Sequence, residues 1–443
     1  MTILLICPPD FGHIKNFIVI AQLYIELGHD VTLVTSNIHP QLKIPIKLNV
    51  VVVKVEFWYS QSLIGRSSAS LSVLLQRDNI IKKCISDFCN FESKIKVDSF
   101  DFVFVDRFFS HLLLLYPKVM HKARIINTMM SCYKSSCNPP LDSQLYPGIR
   151  YSGIRFRLEW IRHSFFSRVA MCKLYPIHPW YVLLKIASYK NIKIDRNNLL
   201  MSGSSSLHFG IRSIPEYCTG FRAFDFTCRD GTAVKNSRYL GINHLYETKN
   251  IDNDSKLWSA IAKAKKSGQK IIYVGFGTIH GDNKKDIIRV VRSTVAALKQ
   301  KSGWFAIISG ASSWFDEVNI ENVENIYAAN FVAQAELLKY SDVFVCHGGL
   351  SSIFEGVESK TPMIIIPFYS SWDIIGNSAR VEYHKIGVVI SKSITSPKTM
   401  VKSISFLLSD NETAKRVHKL NAEITDEKNM SIQNVKEMLH IHN

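Results

Sequence analysis

The sequence lacks the features that mark several large classes of protein. It contains no run of 18 uninterrupted apolar residues, so we expect no transmembrane helix. Its nine cysteines are scattered without a C-x-x-C pair, which disfavours a zinc site and favours reduced thiols in a cytoplasmic protein. The first residues have no basic stretch and are interrupted by Pro8-Pro9, so we expect a buried first strand rather than a signal peptide.

Acidic residues are also few compared with basic ones. The 443-residue chain has 54 Lys and Arg against 37 Asp and Glu, a formal net charge of +17. No nucleic-acid recognition motif accompanies this charge, so we expect no nucleic-acid partner. Peripheral contact with an anionic membrane and a solvated basic surface without a partner both remain open.

The length of the chain and the order of its apolar segments predict two α/β domains. A chain of 443 residues exceeds one typical core, and 47% hydrophobic with 21% charged residues is typical of a globular protein. Apolar strands alternate with helical patterns near the start and again from Lys270 onward, which indicates parallel βαβ units. We predict an N-terminal Rossmann-like domain over 1–225, a linker over 226–256, a C-terminal Rossmann-like domain over 257–425 and a C-terminal helix over 426–443.

The segment from Asn330 to Gly387 contains the strongest local signal. A buried-strand pattern over 343–346 is followed by His347-Gly348-Gly349 and then by a helix that begins near Ser351 or Ser352. The free N–H groups and the dipole of a helix N-terminus favour an anion, and glycines allow a close approach of the backbone. A diphosphate is the natural occupant. The alternative is an ordinary βα turn of another Rossmann-like domain.

This segment resembles the donor signature of the UDP-glycosyltransferases with the GT-B fold. The matching residues are Phe331-Val332-Ala333-Gln334, His347-Gly348-Gly349, Ser352, Glu355, Pro362, Pro367, Asp373 and Asn377. The resemblance implies an α/β fold in which two Rossmann-like domains face a cleft and a C-terminal helix crosses back to the N-domain. It also implies an inverting enzyme that moves a hexose from a nucleotide sugar, most simply a UDP-sugar, to a hydroxyl of a small-molecule or lipid acceptor, with no cofactor and no metal.

The resemblance assigns roles in donor binding to individual residues. Phe331 would stack on the base, although it could also be an ordinary core residue. Val332 would bond the base edge through its backbone, Gln334 would lie near the base and ribose, and Glu355 would reach the ribose hydroxyls. The complete set of expected donor-binding residues is Gly12, Gly277, Thr278, Phe331, Val332, Gln334, His347, Gly349, Leu350, Ser351, Ser352, Glu355, Asp373 and Ile374.

One departure from the family concerns the sugar. Relatives usually have Asp-Gln or Glu-Gln four residues after a proline, whereas this chain has Asp373-Ile374 six residues after Pro367. Asp373 can still accept a hydrogen bond from a sugar hydroxyl, but the side chain of Ile374 cannot form one. The sequence therefore leaves the identity of the sugar open.

His13 and Asp106 are the expected catalytic pair. His13 follows the first predicted strand and Asp106 ends the strand FDFVFVD, so both stand at carboxyl ends of strands, where doubly wound sheets bind ligands. In the family, a histidine at this place deprotonates the acceptor hydroxyl and an acid supports the imidazolium. A structural histidine and a helix-capping aspartate are the alternatives.

Two further segments bear on partners and metals. Region 130–200 mixes aromatic residues, among them Trp160 and Trp180, with many Lys and Arg. We expect it to contact the acceptor or a membrane surface, although core packing explains the aromatics equally well. Asp252-Asn253-Asp254 matches a metal-binding D-x-D pattern, but we interpret it as the start of a helix. A nucleotide-sugar epimerase and a non-catalytic nucleotide-sugar-binding protein are the rival functions.

Overall fold

Two parallel sheets determine where this chain places its functional side chains. The computed structural model describes residues 1–40, 42–54, 77–130, 158, 161, 179–195, 199–201, 209–226, 238–242, 255–276, 284–310, 315, 317–318, 320, 323–368 and 373–440. The chain divides into two units. The N-terminal unit comprises Met1–Arg222, Phe226–Thr248 and Glu427–Asn443, and the C-terminal unit comprises Ala223–Asp225 and Lys249–Asp426.

Strands and helices alternate along most of the described chain. In chain order the elements are β1 (Thr2–Ile6), α1 (Phe11–Glu26), β2 (Asp30–Thr35), β3 (Asn49–Val52), α2 (Arg77–Lys94), β4 (Phe102–Asp106), β5 (Ala123–Asn127), α3 (Pro179–Tyr189), β6 (Leu199–Met201), β7 (Phe209–Ile211), β8 (Glu216–Cys218), β9 (Arg238–Tyr239), α4 (Ser255–Lys266), β10 (Lys270–Gly275), α5 (Lys284–Leu298), β11 (Trp304–Ser309), β12 (Ile326–Ala329), α6 (Gln334–Leu338), β13 (Val343–Cys346), α7 (Leu350–Glu358), β14 (Met363–Ile365), α8 (Ile374–His384), β15 (Gly387–Val389), α9 (Pro397–Ser409), α10 (Asn411–Lys428) and α11 (Ser431–Glu437). Short 3₁₀ helices cover Val97–Ser99, Arg107–Leu115, Pro117–Lys122, Arg222–Phe224 and Lys392–Ile394.

The sheet of the N-terminal unit has the strand order β3-β2-β1-β4-β5-β8-β9, and all its pairs are parallel. Strand β4 is buried along its whole length, and β1 is buried except for Thr2, as expected for parallel strands that are covered on both faces. The strand order reverses between β1 and β4, and ligands bind doubly wound sheets at such a switch point. A separate antiparallel pair joins β6 to β7.

The sheet of the C-terminal unit has the order β12-β11-β10-β13-β14-β15, again with every pair parallel. This is the order of a doubly wound dinucleotide-binding sheet, and its switch point lies between β10 and β13. The structure therefore confirms the predicted α/β class with two Rossmann-like sheets.

The end of the chain completes the N-terminal unit. Tyr24 donates its hydroxyl to the carbonyl of Val435 at 2.8 Å, and Arg124 Nε donates to the carbonyl of Met438 at 2.8 Å. The predicted return of the C-terminal helix to the N-domain is confirmed, but the helix is not continuous. Helix α10 ends at Lys428 and α11 begins at Ser431, whose buried hydroxyl donates to the carbonyl of Gly241 at 2.6 Å.

The stretch 226–256, which was predicted to be a linker, is divided between the two units in the structure. Phe226–Thr248 belongs to the N-terminal unit, where β9 pairs in parallel with β8 and both Leu240 and Ile242 are buried in the core. A two-residue strand is too short to show an alternating pattern, so its sequence looked like a loop.

Three residues predicted to lie in the N-domain, Ala223–Asp225, belong instead to the C-terminal unit. The carboxylate of Asp225 accepts hydrogen bonds from Arg380 Nε at 2.9 Å and Nη2 at 2.6 Å in a buried ion pair. His384 Nε2 lies 3.0 Å from the carbonyl of Phe224, and burial lowers the pKa of His384 to about 4. The neutral imidazole therefore donates to this carbonyl, which anchors the three residues to α8.

None of the helices within the described ranges combines the length and the apolar character needed to cross a bilayer.

Candidate active site

His13 and Asp106 meet at the switch point of the N-terminal sheet. His13 lies in the first turn of α1, directly after β1, and Asp106 is the last residue of β4. His13 Nδ1 is 2.9 Å from Asp106 Oδ2, and the side chain of His13 is 17% exposed whereas that of Asp106 is fully buried. A buried acid and a partly exposed imidazole therefore form a pair at the edge where ligands bind.

The contacts of Asp106 fix the tautomer of His13. A carboxylate only accepts hydrogen bonds, so Nδ1 must carry the proton that it donates to Oδ2. In the neutral ring this leaves a lone pair on Nε2, the arrangement that a general base needs. Asp106 Oδ1 accepts from the backbone N–H of Phe108 at 2.8 Å, and the Phe108 ring packs edge-on against the imidazole at 4.9 Å. Asp106 thus also caps the 3₁₀ helix that begins at Arg107, as the alternative interpretation expected, and its catalytic role stays a prediction.

A buried ion pair connects the strand ends behind this pair. Arg107 Nη1 donates to Glu216 Oε1 at 2.6 Å, and Asn127 Nδ2 donates to the same oxygen at 2.9 Å. Arg107 directly follows β4, Asn127 ends β5 and Glu216 begins β8. These bonds hold three adjacent strands in register next to Asp106.

In the C-terminal unit, the predicted turn joins β13 to α7 at that sheet's switch point. Gly348 has φ +95°, and a Cβ on it would lie 2.8 Å from Ile365 Cγ2, so this position requires glycine. Gly349 is the N-cap of α7, and the ring of His347 lies beside it, since a Cβ at Gly349 would be 2.8 Å from His347 Nε2. The first N–H groups of a nine-residue helix and an imidazole therefore stand at the same place, which suits an anion.

Gln334, Ser352 and Glu355 form a hydrogen-bonded cluster next to this turn. Gln334 Nε2 donates to Ser352 Oγ at 3.2 Å and to Glu355 Oε2 at 2.6 Å. Gln334 begins α6, and the other two residues lie on one face of α7. The structure therefore brings together three residues that the sequence placed in the donor site.

Asp373 and Asn377 are tied to the glycine turn. Asn377 Nδ2 donates to the carboxylate of Asp373 at 2.9 Å and to the carbonyl of Gly348 at 3.2 Å. Asp373 is the N-cap residue of α8, and Ile374 is buried with its Cγ2 3.4 Å from where a Cβ of Gly348 would lie. Ile374 therefore packs beneath the turn, while Asp373 stays half-buried beside it.

The C-terminal part of the sequence is similar to known glycosyltransferases. Residues 281–435 match the family model for the glycosyltransferase family 28 C-terminal domain. A Bacillus subtilis protein named uncharacterized UDP-glucosyltransferase YdhE is 26% identical over 153 residues, 34% of this chain and 37% of that protein. A sterol 3-beta-glucosyltransferase of Vanderwaltozyma polyspora is 25% identical over 195 residues, 43% of this chain and 16% of that protein. In both relatives the match spans less than two thirds of the relative's length.

The fold comparison covers the whole chain. The crystal structure of the glycotransferase of kitacinnamycin matches with a TM-score of 0.64 and 16% sequence identity over 99% of both chains. This chain has the GT-B fold, and its residues 281–435 are similar to the glycosyltransferase family 28 C-terminal domain. The predicted resemblance to UDP-glycosyltransferases with the GT-B fold is thereby confirmed.

The other residues predicted to bind the donor differ in how far they are exposed to solvent. Phe331 is 40% exposed, so it is not an ordinary core residue. Val332 and Leu350 are buried, and Ser351 is half-buried in the first turn of α7. Gly12 lies one residue before His13, and a Cβ there would meet no protein atom within 4 Å. Their roles in donor binding stay predictions.

Several predicted features lie outside the described residues. These are Gly277 and Thr278 of the donor set, the D-x-D sequence Asp252-Asn253-Asp254, and all of region 130–200 except 130, 158, 161, 179–195 and 199–200. Within the ranges that the structure does describe, no group of three or more His, Cys, Asp or Glu side chains is arranged to hold a metal ion.

Thr128 is a residue of this site that was not predicted from the sequence. Its hydroxyl lies 2.6 Å from His13 Nδ1 and 3.3 Å from Asp106 Oδ2. Thr128 directly follows β5, the neighbour of β4 in the sheet, so it stands at the same carboxyl edge as Asp106. Asp106 was predicted because it stands at the carboxyl end of a strand, where doubly wound sheets bind ligands, and Thr128 stands at such an end as well. A lone threonine after a strand matches no motif, however, so the sequence did not mark it as functional.

Proposed function

We propose that the protein is an inverting glycosyltransferase that moves a hexose from a nucleotide sugar, a UDP-sugar, to a hydroxyl group of a small-molecule or lipid acceptor. The observation that carries the proposal is the His13–Asp106 pair, in which a buried carboxylate holds the imidazole proton on Nδ1. A protein that only bound the nucleotide sugar would not need such a base. The GT-B fold and the matched family 28 domain support the same reaction class.

The proposed reaction is a single displacement. His13 Nε2 takes the proton from the acceptor hydroxyl, and Asp106 stabilises the imidazolium that forms. The acceptor oxygen forms a bond to the anomeric carbon as the bond from that carbon to the phosphate oxygen breaks. The bonding electron pair leaves with the nucleoside diphosphate, and attack from the opposite face inverts the anomeric configuration.

The proposal assigns the donor to the turn between β13 and α7. The diphosphate would accept hydrogen bonds from the N–H groups at the start of α7 and from His347. These donors are positioned before the reaction and present partial positive charge to the diphosphate, so the proposal requires no metal. Phe331 would contact the base, Glu355 the ribose and Asp373 the sugar.

Removal of the base tests the mechanism. We expect His13→Gln to lower the rate of transfer from UDP-glucose by about 10²–10⁴-fold, the usual contribution of general-base catalysis. The acceptor would be chosen from a panel that includes sterols, the substrates named for one set of relatives. The affinity for UDP, measured by calorimetry, should not change because the residues proposed to hold the base, the ribose and the diphosphate lie in the other unit.

The matched control is His121→Gln, which changes an exposed histidine of the same unit. It should leave both transfer and UDP binding unchanged. Full transfer activity in both His13→Gln and Asp106→Asn, with normal UDP binding, would show that the proposed base is wrong. Conversion of the UDP-sugar to an epimer without any glycoside would support the epimerase instead.

We further propose peripheral contact with an anionic membrane, which the formal net charge of +17 supports. Co-sedimentation with liposomes should increase with the fraction of anionic lipid and decrease with added salt. Equal binding to neutral and anionic liposomes would contradict this part of the proposal.

A further inference from the structure

A buried tyrosine lies behind the Gln334–Glu355 cluster and plays no part in the mechanism above. Tyr273 is in the middle of β10 and is 1% exposed. Its hydroxyl lies 3.0 Å from Gln334 Oε1 and 2.9 Å from Ser309 Oγ. Four residues from β11, β10, α6 and α7 therefore form one hydrogen-bonded chain, Ser309–Tyr273–Gln334–Glu355.

The direction of every hydrogen bond in this chain follows from Glu355. The Glu355 carboxylate only accepts, so the Gln334 amide must point its NH₂ group toward it and its Oε1 toward Tyr273. Tyr273 then donates its single proton to Oε1, and Ser309 must donate to Tyr273. Burial raises the pKa of the Tyr273 phenol far above its usual value, so the hydroxyl keeps this proton.

The surroundings of Tyr273 hold its hydroxyl in place. Its ring stacks on Phe344 with the centroids 5.0 Å apart and the planes 2° from parallel. A Cβ on Gly275, two residues along the same face of β10, would lie 2.5 Å from the hydroxyl oxygen and 3.1 Å from Ser309 Oγ. The absence of a side chain at Gly275 thus provides the space through which Tyr273 reaches Gln334.

Both amide hydrogens of Gln334 are used within the protein. One is donated to Ser352 and the other to Glu355 at 2.6 Å. In this arrangement Gln334 orients the carboxylate of Glu355 rather than contacting a nucleotide through its own NH₂ group. A fixed carboxylate loses less conformational freedom when a ligand hydroxyl binds it, so its orientation contributes to affinity.

We propose that Ser309 and Tyr273 are positioning residues that set the affinity of this protein for ribose-containing nucleotides by orienting Gln334 and, through it, Glu355. This inference rests on the proposed function, because it takes the ligand of the C-terminal unit to be a nucleoside diphosphate whose ribose meets Glu355. It adds two residues that act on the ligand from the interior of the sheet.

The experiment compares the binding of UDP and of 2′,3′-dideoxy-UDP by calorimetry with the full-length protein. Tyr273→Phe removes only the hydroxyl and leaves the ring stacked on Phe344. We expect this variant to bind UDP about tenfold more weakly, the value of one well-placed hydrogen bond. Its affinity for the dideoxy analogue, which has no ribose hydroxyl to offer Glu355, should change much less.

Three further variants complete the design. Ser309→Ala, a change at a half-buried residue, should shift the ratio of the two affinities in the same direction by a smaller factor. In a Glu355→Gln background, Tyr273→Phe should cause little additional loss, because both changes act through the same carboxylate. Tyr24→Phe removes a buried tyrosine hydrogen bond in the N-terminal unit and should leave the ratio unchanged.

The outcomes separate this inference from the proposed function. If the unaltered protein binds no nucleoside diphosphate, the proposed function and the inference both fail. If it binds UDP, but Tyr273→Phe weakens UDP and the dideoxy analogue equally or weakens neither, the proposed function stands and the positioning role is overturned. A selective loss for UDP that disappears in the Glu355→Gln background supports the role.

Discussion

At the scale of single residues, one hydroxyl contributes to the hydrogen bonding of both His13 and Asp106. Thr128 is buried, and its Oγ1 reaches both His13 Nδ1 and Asp106 Oδ2. Because the carboxylate only accepts, the Thr128 proton goes to Asp106, and its oxygen can accept a share of the imidazole N–H. The threonine thereby restrains both members of the pair at once.

Thr128→Val replaces this hydroxyl with a methyl group of nearly the same size. We expect transfer to become about 10–100-fold slower, since a hydrogen bond to a charged group contributes roughly 1.5–3 kcal/mol. UDP affinity should stay the same because the residues proposed to hold the base, the ribose and the diphosphate belong to the other unit. Steady-state transfer kinetics together with UDP calorimetry would measure both effects.

Thr128→Ser is the matched control, because it keeps the hydroxyl and removes only the methyl group. This variant should recover most of the rate that Thr128→Val loses. Equal rates for the valine variant and the unaltered protein would mean that Thr128 does not position His13.

The site residues that could be predicted from the sequence differ from those that could not, because only the former are marked by a local sequence pattern. Asp106 ends an apolar run and His13 follows another across a short turn, and both runs are readily assigned to parallel strands, so their meeting at one sheet edge was predictable. Thr128 and Tyr273 act through contacts between elements that are far apart in sequence, Tyr273 with Gln334 across 61 residues. No local pattern records such a contact, and only the packing of the elements reveals it.

At the scale of elements, the turn between β13 and α7 depends on the backbone of Gly348. Its φ of +95° is rarely adopted by residues with a side chain, and Ile365 occupies the space that a Cβ would need. Asn377 donates to its carbonyl, so the turn also connects to α8. A change here displaces the start of α7 relative to the ends of the neighbouring strands.

Gly348→Ala should abolish detectable UDP binding and destabilise the protein by about 1–3 kcal/mol, the range for enforced backbone strain. Thermal unfolding with and without UDP would measure both effects, because a ligand stabilises only the state that binds it. The unaltered protein should gain stability with added UDP, and the variant should not.

Gly268→Ala separates backbone strain from the local clash. Gly268 has φ +71°, but a Cβ there would meet nothing within 4 Å. This variant should lose a similar amount of stability and keep its response to UDP. If Gly348→Ala retained the full response to UDP, the glycine turn would not be the donor site.

Element types were predictable from the sequence mainly where the apolar runs are long. β1, β4, β10 and β13 appear as predicted because each is a run of buried aliphatic and aromatic residues. Strands β8, β9, β12 and β15 were missed, because β8 and β9 have only three and two residues and because β12 and β15 contain no buried residue. The break between α10 and α11 directly precedes Ser431, whose contact with Gly241 is not visible in the helical pattern.

At the scale of the whole molecule, the chain ends within the unit where it begins. Val435 and Met438 are buried in the same core cluster as Ile3, Leu5 and Phe17. Arg124 fixes this segment by donating from Nη2 to the carbonyl of His440 at 3.0 Å, in addition to its bond to Met438. The core of the N-terminal unit therefore combines residues that precede the C-terminal unit in sequence with residues that follow it.

Met438→Ala should therefore destabilise the N-terminal unit specifically. Removing a buried methionine side chain costs about 2–5 kcal/mol through lost burial and the cavity that remains. Hydrogen exchange followed by mass spectrometry should show faster exchange in peptides from α1 and β1, with little change in peptides from β10 and α7. At temperatures where the N-terminal unit of the Met438→Ala variant is still folded, the variant should bind UDP as the unaltered protein does.

Met400→Ala is the matched control, because Met400 is equally buried but belongs to the core of the C-terminal unit. It should produce the opposite pattern, with faster exchange in β10 and α7 and little change in α1 and β1. If either variant accelerated exchange equally in both units, the two would unfold as one cooperative body. The C-terminal segment would then stabilise the whole protein, and Met438→Ala would lose UDP binding together with the fold of both units.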